Sequence, residues 1–211
     1  MNNNMAVMAI GFAAQAFFSA RIIVQWVMSE RARRVLSPSL FWVLSLFGSY
    51  LLCIYGWLRS DFAIVFGQFI SYYIYLWNIR VKGLWASVPL IVQAVVMITP
   101  VAAAATIAFG SDGWYARFFD NGDVPMWLLI YGSAGQMLFT LRFIYQYLYS
   151  RARHKSQLPI GFWIISLTGA LLIVTYAIVR KDIVLIVGQS FGIVAYTRNI
   201  CIIHNERKRN Q

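Results

Sequence analysis

The sequence predicts an all-α integral membrane protein with seven transmembrane helices, arranged as two three-helix repeats around one linker helix. Three observations predict this class. First, 60% of the 211 residues are hydrophobic and 12% are charged, about half the charged share of a soluble domain. Second, the apolar residues fall into uncharged runs, each near the roughly 20 residues that a helix needs to cross a bilayer. The mean hydropathy is +0.65. Third, the chain resembles itself. Shifted by 121 residues, positions 11–79 lie on 132–200 without a gap, with 23 identities in 69 pairs. These features exclude a disordered chain, a disulfide scaffold and an ordinary cytosolic enzyme. The length leaves no room for a sizeable soluble catalytic domain beside seven helices.

The helices are expected near 5–28, 38–58, 62–79, 85–109, 125–149, 159–179 and 183–203. Phe18-Ser19-Ala20 in the first run resembles a cleavage site, but Met1-Asn2-Asn3-Asn4 lacks the positive start of a secretion signal. The same segment also recurs inside the chain, so it is read as a helix. Helices two and six begin at Pro38 and Pro159, where proline is tolerated. The fourth run, rich in Ala and Val, has no counterpart. It divides the chain into a first repeat (1–82), a linker helix and outer loop (83–122), a second repeat (123–205) and a basic tail (206–211). Three helices end opposite their start, so one extra helix lets both repeats run the same way, as in transporters with parallel repeats.

The net charge of +11 is read by position. Twelve Lys and Arg residues fall on one side, in the loops after helices one, three and five and at the C-terminus. Four fall on the other side: Arg59, Arg117, Arg180 and Lys181. This bias puts the N-terminus outside and the C-terminus in the cytoplasm. The loop between helices four and five is outside and acidic, with Asp112, Asp120 and Asp123. No soluble surface remains for nucleic acid. Cys53 and Cys201 sit near opposite faces and cannot pair; they are read as apolar filler.

The remaining two basic residues, Arg21 and Arg142, lie inside helices. An arginine at mid-bilayer costs roughly 2.5–3.5 kcal/mol on insertion scales. The expected helix interiors hold no Asp or Glu, so neither has an obvious anionic partner. Two roles are open: they bind a phosphate or pyrophosphate head group, or they snorkel and bond to carbonyls and amides. Polar stripes accompany them at helical spacing. Gln15, Phe18, Arg21 and Gln25 share one face, as do Gln68, Ser71, Tyr75 and Asn78. The second repeat carries Gln136, Phe139, Arg142 and Gln146, then Gln189, Tyr196 and Asn199. Amides and hydroxyls suit a sugar, and Trp42, Trp163, Tyr75 or Tyr196 could stack on its ring. The alternative is that these groups bond between helices and hold the bundle together. No catalytic residue, cofactor motif or metal-ligand spacing is found.

The repeated wording is Arg21-x-x-x-Gln25-Trp26-x-x-Ser29-Glu30, Pro38-x-x-Phe41-Trp42-x-x-Ser45-x-x-Gly48, Tyr55, Arg59-x-Asp61, Gly67-Gln68 and Tyr75-x-x-Asn78. It resembles the lipid A biosynthesis N-terminal domain, a three-helix membrane module distantly related to the PQ-loop and SWEET group. The second copy reads Arg142-x-x-x-Gln146-Tyr147, Phe162-Trp163, Arg180-Lys181-Asp182, Gly188-Gln189 and Tyr196-x-Arg198-Asn199. The copies depart at Trp26/Tyr147, Glu30/Arg151 and Trp77/Arg198. The family takes its name from a fusion to lipid-A-disaccharide synthase, whose soluble glycosyltransferase domain is absent here. The resemblance therefore implies a non-enzymatic Gram-negative inner-membrane protein of lipid A or envelope glycolipid metabolism. The expected function is a transporter or flippase for a phosphate-bearing lipid or lipid-linked sugar. Alternatives are a SWEET-type facilitator of small sugars, or a non-transporting membrane partner of a glycosyltransferase.

Overall fold

A computed structural model describes residues 3–109 and 126–209. The expected acidic loop with Asp112, Asp120 and Asp123 lies outside them. The described chain is helical: α1 (Asn3–Ala32), α2 (Ser39–Leu58), α3 (Phe62–Val81), a 3₁₀ turn (Leu84–Ser87), α4 (Leu90–Phe109), α5 (Met126–Ala152), α6 (Ile160–Val179) and α7 (Ile183–Arg209). Four of these are long and apolar enough to cross a membrane, over Met5–Ala32, Ser39–Leu58, Ile160–Val179 and Leu185–Arg209; α4, Leu90–Phe109, carries no charged residue. Helix α5 falls outside that group because Gln136, Arg142, Gln146 and its tyrosines lower its mean hydropathy. Of these, Arg142 and Gln146 are buried within the protein, as shown below.

Local rules set the ends. Pro38 and Pro159 cap α2 and α6 in extended conformation, with ψ of 151° and 163°. Asp61 and Asp182 cap α3 and α7, accepting from Ile64 N at 3.0 Å and Leu185 N at 3.2 Å. The expected linker helix 85–109 is divided. Gly83 turns the chain at φ +78°, and the 3₁₀ turn ends at the extended Val88. Pro89 forces that break, because the residue before a proline is driven out of the helical region. At the other end of the chain, α7 runs on through the basic residues Arg207, Lys208 and Arg209.

The helices close into a ring of six. Each of α1, α2, α3, α5, α6 and α7 packs on its neighbour in that order, and α7 returns to α1. Gln15 lies against Gly188 and Gln25 bonds Asn199, so α1 and α7 run in the same direction. Gly67 against Thr140, and Asn78 bonded to Gln146, give α3 and α5 the same relation. Helix α4 stands outside the ring and makes only sparse contact with it.

One aromatic cluster fills the centre, and it repeats. Phe41 meets Trp42 edge-on at 4.8 Å, and Phe162 meets Trp163 at 4.9 Å. Trp42 lies 6.1 Å from Tyr75, and Trp163 lies 6.0 Å from Tyr196. Phe143 breaks the symmetry. It packs on Tyr75 at 4.8 Å and on Phe162 at 5.3 Å, while its counterpart in the first copy is the buried Ile22.

Four non-glycine residues adopt positive φ: Arg33, Ser60, His154 and Lys181, all at 51–52°. They form two pairs related by the 121-residue shift. Each sits just past a helix C-terminus, where the next amide reaches back to close the end: Arg34 N to Ser29 O, Asp61 N to Gly56 O, Lys155 N to Ser150 O and Asp182 N to Ala177 O. A side chain in this conformation costs about 1–2 kcal/mol, which glycine avoids. Ser60→Gly and Lys181→Gly are therefore expected to stabilise the protein by about 1 kcal/mol each, measured by thermal unfolding in detergent. A fall in stability for both would contradict the left-handed closure.

Candidate functional site: two buried arginines in an aromatic chamber

Arg21 projects from α1 into the ring and is 4% exposed; Arg142 projects from α5 and is 6% exposed. Arg21 Nη1 donates to Ser45 Oγ at 2.8 Å and to the Tyr75 hydroxyl at 3.3 Å. Arg142 Nη1 donates to the Tyr196 hydroxyl at 3.2 Å. Each guanidinium also lies on aromatic faces. Arg21 Cζ is 4.4 Å from the Phe18 ring centre and 5.4 Å from that of Phe143. Arg142 Cζ is 3.8 Å from Phe139 and 4.7 Å from Phe143. Phe143 thus touches both cations. Its charge-rich face attracts each of them, and a desolvated contact of this kind is worth about 2 kcal/mol.

The balance of donors and acceptors is incomplete. The ion pairs among the described residues are Arg59–Asp182 and Arg198–Glu30, so neither buried arginine meets a carboxylate there. Arg21 Nε and Arg142 Nε are buried without a hydrogen-bond partner, and so is Gln68 Oε1. Both arginines line one small chamber together with Gln15, Gln68, Gln136, Gln189, Tyr75 and Tyr196. Its volume is about 40 Å³, room for a water or two. Gly188 permits this crowding. A Cβ there would collide with the Gln15 amide oxygen.

The other amides of the two stripes meet each other. Gln25 Nε2 donates to Asn199 Oδ1 at 2.8 Å, and Asn199 Nδ2 returns a bond to Gln25 Oε1 at 3.1 Å. The second copy mirrors this: Gln146 Nε2 to Asn78 Oδ1 at 3.0 Å, and Asn78 Nδ2 to Gln146 Oε1 at 3.1 Å. All four side chains are fully buried. Their spare donors reach Ser29, Ser150 and main-chain carbonyls at Leu36, Gln157, Ile74 and Ala195. Ser156 adds a bond to Asn78 Oδ1 at 2.7 Å. These clamps lie one turn beyond the arginines toward the helix C-termini, and they close the chamber at that end.

The fourteen residues singled out from the sequence therefore divide. Arg21, Arg142, Gln15, Gln136, Gln68, Gln189, Tyr75 and Tyr196 line the chamber. Gln25, Gln146, Asn78 and Asn199 form the clamps. Trp42 and Trp163 are 0% and 1% exposed inside the aromatic core; they reach no chamber surface, and Trp42 Nε1 donates to Ser37 Oγ at 3.0 Å. Sequence reasoning missed Phe143, because its partner position holds Ile22 and no repeat marks it. It named Ser45 as part of the repeated motif, whereas Ser45 receives the Arg21 bond. Among the described residues no His, Cys, Asp and Glu cluster could hold a metal.

A second polar region lies beyond the clamps. Arg34, Lys82, Glu206 and Arg207 border a cleft of about 550 Å³. Lys82 donates to the Ser37 carbonyl, and burial pushes its ammonium pKa down. The sequence departures between the copies meet at this end too. Glu30 pairs with Arg198 across α1 and α7. At the equivalent interface of α3 and α5, Trp77 packs edge-on against Tyr147 at 4.8 Å.

A model of the Lipid A Biosynthesis N-terminal domain matches residues 10–80 and again 131–201. The chain belongs to this family. The two matches are offset by 121 residues, the same shift that relates the clamps and the arginines. Among curated relatives, the lipid-A-disaccharide synthase of Chlamydia felis is 27% identical over 208 residues, covering 94% of this chain and 33% of that protein. The synthase of Chlamydia pneumoniae is 28% identical over 207 residues, covering 94% and 34%. That of Chlamydia abortus is 28% identical over 211 residues, covering 96% and 34%. The chain thus spans about a third of the length of the relatives it matches. No solved structure matches it.

The clamps make a direct prediction. Asn199→Leu leaves Gln25 Oε1 buried without a donor, at a cost of about 1–3 kcal/mol. The double variant Gln25→Leu/Asn199→Leu is expected to cost less than the sum of the two single changes. Asn78→Leu is expected to cost more than Asn199→Leu, because it also removes the acceptor of a Ser156 bond. Unfolding of the purified variants in detergent measures all four. Strictly additive losses would exclude the reciprocal bonds.

Proposed function

We propose that this protein moves a phosphate-bearing lipid or lipid-linked sugar across the inner membrane of a Gram-negative bacterium, in lipid A or envelope glycolipid metabolism. One observation carries the reading: two almost fully buried guanidiniums line a single chamber, each with an unpaired donor and no carboxylate partner. A guanidinium presents five donors in a planar fork, and phosphate is the anion whose oxygens match that fork. Two such forks about one chamber suit a phosphate or pyrophosphate. The amides of Gln15, Gln68, Gln136 and Gln189 supply neutral hydrogen-bonding groups beside it, as a sugar requires.

In this reading the chain crosses the membrane seven times as parallel 3+1+3 repeats, with the N-terminus periplasmic and the C-terminus cytoplasmic. Binding sites at the interface of parallel repeats are a recurring transporter design. A chamber of this size must widen to admit a head group, so transport requires the two repeats to part. The clamps would hold the cytoplasmic end shut. The outer end is tied by Tyr55 donating to Asp182 at 3.2 Å and by Arg59 at 3.6 Å from the same carboxylate. Arg59 is 43% exposed, and such a pair is worth little, so the outer end opens first.

A second reading draws on the relatives. Each is named a lipid-A-disaccharide synthase, and this chain matches only a third of it. A non-transporting partner that positions a separate glycosyltransferase fits that relation. The basic ends of α1, α5 and α7 would be its docking surface.

Native mass spectrometry of protein extracted gently from its own membrane separates the readings. Lipid transport predicts a stoichiometric phosphate-bearing lipid. Loss of one guanidinium–phosphate contact costs about 1.5–3 kcal/mol, so Arg21→Gln or Arg142→Gln should lower its retention about ten- to hundredfold. Bare wild-type protein, with variants equally stable, would reject the transporter reading. Loss of a co-purifying glycosyltransferase when Arg151, Arg153 and Lys155 are changed to Glu, with the arginine variants unaffected, would establish the partner reading.

A further inference from the structure

Helix α4, α2 and α3 enclose a largely apolar crevice of about 390 Å³ that opens sideways out of the ring. Cys53, Phe69 and Ala104 mark its three walls. It lies beside the first repeat, and among the described residues α4 has no counterpart beside the second. Helix α4 is held in place by its own irregularity. Pro100 lacks the N–H that would bond the Val96 carbonyl one turn back, and the Tyr72 hydroxyl donates to that carbonyl at 2.9 Å. Tyr73 donates to the next carbonyl, Met97, at 3.2 Å. The equivalent residues of the second copy are Ile193 and Val194, which can make no such tie. The proline and the tyrosine pair thus fix a helix that otherwise touches the ring sparsely, and a gap remains between them.

The inner wall of this crevice is Gln68, which also lines the arginine chamber. Its carbonyl accepts Ser49 Oγ at 3.1 Å, while its side-chain oxygen is buried without a partner. One side chain therefore separates an apolar slot from two cations that lack an anion. An amphiphile with an anionic head and a hydrocarbon tail matches both sides at once. The slot opens outward among exposed apolar residues such as Tyr50 and Ile54, where acyl chains are the bulk hydrocarbon of a bilayer.

We propose that the crevice between α2, α3 and α4 is a lateral port that takes one acyl chain of a phospholipid while its phosphate passes Gln68 to reach Arg21 and Arg142. The port deepens the lipid-handling reading above and rests on it. It makes lipid entry one-sided: the first repeat admits the tail, and both repeats hold the head.

The test uses the full chain in vesicles of phosphatidylethanolamine and phosphatidylglycerol. The probe is phosphatidic acid carrying a photoactivatable diazirine in one acyl chain, and adducts are mapped by mass spectrometry. The expected result is labelling at Cys53, Phe69 and Ala104 about tenfold above the equivalent positions Val174 and Ser190 and the lipid-facing Leu171 of the second copy, a ratio that a modest binding preference produces. Ala104→Trp fills the slot from α4, and Cys53→Phe fills it from α2. Either should return labelling to the level of the second copy while leaving Arg21 and Arg142 in place. Arg21→Gln/Arg142→Gln should lower crevice labelling by phosphatidic acid, but not by a diacylglycerol bearing the same diazirine. Even labelling of both copies overturns the port. If phosphatidic acid retention still depends on the arginines in that case, the lipid-handling reading stands without it. Crevice labelling indifferent to the arginines overturns the link between tail and head. A polyprenyl phosphate that displaces the probe more strongly than unlabelled phosphatidic acid overturns the acyl assignment.

Discussion

Two positive charges are buried in the middle of this protein, and among the described residues no negative one answers them. Every neighbouring feature can be read as a response to that constraint. Moving a guanidinium to mid-bilayer costs roughly 2.5–3.5 kcal/mol on insertion scales. Each arginine recovers a comparable amount from aromatic faces, at about 2 kcal/mol for a desolvated contact, and from one or two hydroxyl acceptors. The terms nearly cancel. The chain can therefore keep both charges without a carboxylate, and without one they remain available to an anion from outside. A carboxylate partner would be more stabilising and would occupy the forks. Phe143 is central to this balance, because its single ring serves both cations.

The clamps explain how two similar halves become one body. Gln25 of the first copy bonds Asn199 of the second, and Gln146 of the second bonds Asn78 of the first. This is the logic of an isologous dimer interface, where each surface meets its own copy in reverse, carried here on a single chain. Once the copies are joined, their sequences are free to diverge. Glu30 and Arg198 pair at one interface, while the equivalent Arg151 and Trp77 do not; Trp77 and Tyr147 meet edge-on instead. The single Phe143 at the centre has the same origin, since a pseudo-two-fold axis has space for one such ring and Ile22 fills the other side. The linker helix extends the asymmetry outward, because among the described residues it covers one face of the ring and forms a crevice there.

Much of this was legible along the chain. Apolar runs mark helices because the transfer energy of a segment depends on its own composition. Proline and aspartate mark their starts because the rules of helix ends are local. The 121-residue shift exposes the duplication, and with it the pairing of Arg21 with Arg142. The polar stripes were visible as well, since helical period alone places Gln15, Arg21 and Gln25 on one face. The linker was less legible. Its composition reads as one helix, and only the restriction imposed by Pro89 on Val88 moves the start of α4 to Leu90.

The sequence by itself determined the helices, the duplication and the burial of two arginines without acidic partners in their helices, because each follows from composition or from period. Only the tertiary structure decided what those residues meet. A stripe of amides cannot reveal whether it faces a cavity or another amide: both choices satisfy the same donors. The fold answered differently on successive turns of one helix, with Gln15 at the chamber and Gln25 in a clamp. Phe143 between the guanidiniums, Ser45 as an acceptor and Gln68 between slot and chamber are likewise meetings across the ring. They depend on which helix faces come together in space, and no pattern along a single helix encodes that.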